Sequence, residues 1–119
     1  MRMREIDFAG AQPPIDGYRP GGFRLGQDWY EGVVLIAPGG VSALEDQGAA
    51  ATQATALAAS VDVLLIGQGA DIAPLDPALR AALEAAGLAV EVMATPAACR
   101  TYNVLLAEDR RVAALLVPV

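Results

Sequence analysis

Two kinds of apolar pattern alternate along the chain. Val61 to Ile66 is a short, β-branched run closed by Gly67-Gln-Gly69, the pattern of a parallel strand buried on both faces. Leu79, Ala82, Leu83 and Ala86 then recur on one helical face, from an Asp76 cap with Pro77 at the first helical position to a stop at Gly87. Leu88 to Met93 returns to strand. Thr95-Pro96 repeats the cap-and-proline device and predicts a helix to about Glu108, and Arg111 to Val117 follows as a strand. The second half therefore reads β-α-β-α-β, which asks for right-handed crossovers and helices covering a largely parallel sheet.

The first half is less regular. Residues 1–22 contain Pro13, Pro14, Pro20 and several glycines, and predict an irregular N-terminal arm. Phe23 to Leu25 and Trp29 to Ile36, separated by Gly26-Gln-Asp28, read as a β-hairpin whose second strand turns fully apolar as it enters the core. Pro38-Gly-Gly40 ends it. Ala49 to Ala59 has high helix propensity and predicts a short helix. No repeat or linker divides the chain, so the expectation is one α/β domain over residues 1–119, with the hairpin making a third layer.

Composition narrows the chemistry. The 119 residues carry 8 positive and 14 negative side chains, a net charge of −6, which would repel a phosphate backbone. Nucleic acid is not an expected partner. There is no histidine and only one cysteine, so the commonest general base, the commonest transition-metal ligand, a thiolate cluster and an internal disulfide are all missing. Every cation is arginine, which closes Schiff-base chemistry. Asp7, Asp16, Asp28 and Asp62 show no metal-ligand spacing, and neither a metal nor a cofactor is expected. The longest apolar runs, near Val33–Pro38 and Val112–Pro118, fall far short of the ~18 residues that cross a bilayer. The first eight residues lack the apolar core of a secretory signal, and the expected location is a reducing cytoplasm.

Candidate ligand-binding residues follow from the strand ends. In a parallel sheet ligands settle beyond the carboxyl ends of the strands, where Gly67-Gln68-Gly69 and the loop before Thr95 should be neighbours. The helix start would favour an anion, with Cys99, Arg100, Thr101 and Asn103 within its reach. The plainer reading is that Thr95 caps the helix and Arg100 pairs with an acid. Cys99 beside Arg100 has the surroundings of a reactive thiol, or else packs as a small apolar residue. A dinucleotide site at Gly67-Gln-Gly69 is disfavoured, because the third glycine position is Ile72. Glu91 is either surface-facing or paired with Arg100 or Arg111. Tyr18, Phe23, Trp29 and Tyr30 cluster around the hairpin, as core cover or as anchors for a protein partner.

Val90 to Val112, with Ile15-Asp-Gly-Tyr18, Gly22-Phe-Arg24, Tyr30 to Ile36 and Leu64 to Gly69, resembles the Mth938-like family, also called the domain of unknown function 498 family. The resemblance departs from the family pattern at Gln68 and Asp109. It implies a mixed central sheet of about five strands with helices and a small β-element. Because the family includes the mitochondrial complex I assembly factor 3, it also implies a non-catalytic interaction or assembly module with a protein partner. The alternatives are a small-anion-binding protein or an enzyme using Cys99, Arg100 and Thr101.

Overall fold

A computed structural model describes residues 12–119. Its centre is a five-stranded mixed sheet in the order β5-β4-β8-β6-β7, as the family resemblance implies. These strands are β4 (Val33–Ala37), β5 (Gly40–Leu44), β6 (Val63–Gln68), β7 (Ala89–Met93) and β8 (Val112–Val117). β8 runs parallel to β6 and antiparallel to β4, and β6 runs parallel to β7.

Strict alternation sorts the side chains of this sheet onto two faces. Val33, Leu35 and Ala37 of β4 join Leu64, Ile66, Ala113 and Leu115 on one side. Val34 and Ile36 join Leu65, Ala114 and Leu116 on the other. Both faces are buried along β4, β6 and β8, which is why these three strands read as unbroken apolar runs.

Helix α1 (Gln47–Thr55) and helix α2 (Pro77–Ala85) cover the first face through Ala50, Ala51, Ala54 and Leu83. Asp46 caps α1 by accepting from the Ala49 N–H at 2.8 Å. Helix α3 (Thr95–Ala107) covers the second face through Ala98, Cys99 and Tyr102, with Leu105 and Leu106 packed alongside. Beside α3 lies a three-stranded meander of β1 (Ile15–Arg19), β2 (Gly22–Leu25) and β3 (Asp28–Glu31), which inserts Ile15, Phe23, Leu25 and Tyr30 into the same cluster. The three layers are therefore helices, sheet, and helix plus meander.

Four local expectations change. Within the arm expected over residues 1–22, Ile15–Arg19 is a strand; its outer position in the meander leaves one side without a ladder partner among the described residues, so neighbouring prolines are tolerated. Residues 1–11 of that arm lie outside the described residues, as does Asp7. The second hairpin strand is split at Gly32, whose φ of +85° takes the chain from the meander into the central sheet. Pro38-Gly39 does not end the sheet but turns β4 into β5, pairing Ala37 with Gly40; a proline followed by a glycine at positive φ suits that two-residue turn. The alanine-rich helix begins earlier, at Gln47, and gives way to a short 3-10 turn at Ala58–Ser60.

Candidate functional site

Beyond the carboxyl ends of β6 and β7, the chain fills the crevice with its own groups. Gly67 and Gln68 end β6, and an added Cβ at Gly67 would stand 2.7 Å from Thr95 Oγ1 and 2.9 Å from its Cα. Only a glycine admits the start of α3 so close. Thr95 does not cap its helix: Ala94 holds the cap position without a side-chain hydrogen bond. The Thr95 hydroxyl is wholly buried, accepts from the Gly69 N–H at 2.8 Å and donates to the Val117 carbonyl at 2.6 Å. The Thr95 N–H donates back to the Gly69 carbonyl at 2.8 Å. One threonine thus ties together the ends of β6 and β8 and the start of α3.

Little of the helix start is left for an anion. Thr95 N–H is engaged, Pro96 has no amide proton and Ala98 N–H donates to the Ala94 carbonyl at 3.0 Å, leaving Ala97 N–H. Gln68 is likewise held, accepting from the Gln47 amide and donating to the Pro74 carbonyl.

The remaining expected residues separate. Asn103 faces away from the crevice and grips β1: its Oδ1 accepts from Ile15 N–H at 2.8 Å, and its Nδ2 donates to the Ile15 carbonyl at 2.9 Å. Its amide satisfies one residue of β1 as a neighbouring strand would. Sequence spacing placed Asn103 on the flank of Arg100, but the approach of β1, which takes Asn103 up, carries no local signal. Tyr102, one residue before, donates from its hydroxyl to the Pro13 carbonyl at 2.6 Å, and burial raises its phenol against titration. Gln12 completes this brace by donating to the Val112 carbonyl at 2.6 Å.

Cys99 is 4% exposed within the second cluster. Burial pushes its thiol up to about 11, and the neighbouring Arg100 guanidinium offsets only part of that. Its environment stabilises the neutral thiol, the reverse of a reactive cysteine. Arg100 is exposed and Thr101 half-buried, and neither makes a side-chain hydrogen bond or ion pair to Gly67, Gln68 or Asn103 among the described residues. Glu91 is exposed and makes no ion pair among the described residues, and Arg111, one of its two expected partners, pairs with Asp62 at 3.0 Å. The hairpin aromatics divide: Phe23 and Tyr30 are buried, while Trp29 and Tyr18 are 40% and 42% exposed, with the Arg19 guanidinium 3.9 Å above the Trp29 ring.

The chain is 48% identical over 121 residues to an uncharacterized protein of Rhodobacter capsulatus, a match covering 99% of this chain and 94% of that protein. Over 62 residues it is 39% identical to the NADH dehydrogenase [ubiquinone] 1 alpha subcomplex assembly factor 3 of Xenopus tropicalis, covering 52% of this chain and 34% of that protein. Among solved structures, an outer membrane protein from Bartonella henselae superposes with a TM-score of 0.86 at 36% identity, covering 93% of this chain and 98% of that one. A Bordetella pertussis protein described as a Mth938-like domain superposes with a TM-score of 0.72 at 29% identity, covering 89% and 85%. The family described as protein of unknown function (DUF498/DUF598) matches residues 15–117, most of the described fold from β1 to β8, and the chain belongs to that family.

Proposed function

We propose that this protein works without catalysing a reaction, as an interaction module in the cytoplasm that takes part in the assembly of respiratory complex I. The observation that carries the reading is the closed crevice. Where a parallel sheet ordinarily receives its ligand, the Thr95 hydroxyl bonds Gly69 and Val117, and Gly67 lies against Thr95 without room for a methyl group. The nucleophile candidate Cys99 is buried as a neutral thiol, and the Thr95, Tyr102 and Asn103 side chains of α3 bond the protein's own backbone. The similarity to the Xenopus assembly factor supports the biological setting.

The test is genetic. Deletion of the gene in its host should lower the amount of complex I on native gels and the NADH:quinone oxidoreductase rate of isolated membranes. Wild type and Cys99→Ala should both restore them. Unchanged complex I in the deletion strain would overturn the proposal, and a Cys99→Ala protein that folds yet fails to complement would return thiol chemistry to consideration.

A further inference from the structure

β7 closes one side of the central sheet, with only β6 beside it among the described residues. Its Ala89 N–H donates to the Asp62 carbonyl at 3.2 Å, so residues 89, 91 and 93 turn their backbone groups toward β6. The two-residue period of the ladder then points the N–H and C=O of Val90 and Val92 outward, without partners among the described residues. This is a short strip of alternating donors and acceptors, the template that another strand completes.

The side chains along the strip divide by face. Val90 belongs to the cluster beneath α1 and α2, and Val92 packs against it. Val92 also lines a groove of about 400 Å³ with Ile72, Ala73, Pro74, Leu75 and Arg80. Ile72 is 73% exposed, the most exposed of the large hydrophobic side chains among the described residues. Arg80 is already held by Glu84 at 3.1 Å. Glu91 lies on the opposite face, toward α3, and is the one charge in the strand. Both Glu91 and Asp71 are exposed and lack an ion pair among the described residues.

We propose that the β7 edge receives an extended segment of a partner protein in which apolar and basic residues alternate. The apolar residues enter the groove beside Ile72 and Val92, and the basic ones stand opposite Glu91. Charge decides the occupant. A second copy of β7 paired across a two-fold axis in the register of greatest overlap, centred on residue 91, would set Glu91 against Glu91, a like-charge pair that destabilises a ladder, and the net charge of −6 adds repulsion between copies. β5, the other edge of the sheet, contains no charged residue to select a partner.

For its biology this inference rests on the interaction-module reading, yet its test uses purified protein. Failure here leaves the complex I result standing, and failure there leaves this one standing. The 15N-labelled full chain is titrated with a short capped peptide of alternating valine and lysine, and separately with one of alternating valine and glutamate. With the lysine peptide, amide shifts and slowed hydrogen exchange are expected at Val90–Met93 and Ile72. Val92→Pro deletes an outward N–H while leaving the ladder to β6, and Glu91→Lys reverses the charge; each should weaken the lysine peptide roughly fivefold. Glu91→Lys should also bring the glutamate peptide onto the edge, which keeps the test decisive if Val92→Pro fails to fold. Equal binding of both peptides to the wild-type chain, shifts centred elsewhere, no saturable binding, or concentration-dependent self-association through β7 would each overturn the proposal.

Discussion

Thr95 makes three hydrogen bonds to two residues, its hydroxyl and amide satisfying Gly69 just past β6 and Val117 at the end of β8. Replacing it with valine keeps the volume and strands the buried Gly69 N–H, a loss of about 1–3 kcal/mol. Thr95→Ser keeps the hydroxyl and should retain most of the stability; urea midpoints of the two variants decide the point. Gly67→Ala presses a methyl group into Thr95 and should cost about 1–3 kcal/mol, with no rotamer to relieve it. Cys99 makes a pH-dependent prediction. Its folded thiol is raised to about 11, so its contribution to stability is fully present below the unfolded value near 9 and is lost as pH rises through 11. Two units on a buried group correspond to roughly 2–3 kcal/mol. In Cys99→Ala the urea midpoint should therefore fall less steeply between pH 9 and 11 than in wild type, whatever the difference at pH 7. Equal slopes would mean that the thiol is not held neutral by the fold.

At the scale of elements, α3 acts as a brace: one side is apolar and packs on the sheet, and Tyr102 and Asn103 reach across to hold the chain at Pro13 and Ile15. Asn103→Leu should remove both bonds to Ile15 at a cost of about 1–3 kcal/mol, and hydrogen exchange at the Ile15 amide should accelerate far more than at Leu65 in the core. If both amides accelerate equally, Asn103 supports the whole fold and not β1 in particular. This brace shows where sequence reading stops. The core face of α3 was legible from its period, since Ala98, Tyr102, Leu105 and Leu106 recur at helical spacing. The roles of Thr95 and Asn103 were not, because both depend on strands that arrive from 22 and 88 residues away. β5 was hidden for another reason: Gly40-Val-Ser-Ala-Leu44 is too weakly patterned to show as a strand, and its register comes from β4. Gly32 was hidden inside an apolar run that suggested one continuous strand.

The whole molecule is organised around a sheet whose central strands are buried on both sides, with each face covered by different elements. The helical face relies on small residues in α1, and the opposite face on larger ones from α3 and the meander. Ala50 of α1 is completely buried, so Ala50→Leu should overpack the first cluster and cost about 1–3 kcal/mol, checked by thermal unfolding. No described helix is long and apolar enough to cross a membrane. The order of the strands has a further consequence for how the molecule comes into being. β8, the last strand along the chain, occupies the middle of the sheet, between β4 and β6. Without residues 112–117, β4-β5 and β6-β7 share no ladder and each exposes an apolar flank, so the sheet can close only once β8 joins them. Chains truncated before residue 112 should be protease-sensitive and chains that include residues 112–117 resistant, because that one segment supplies the ladder to both β4 and β6 and so turns two separate pairs of strands into one closed core.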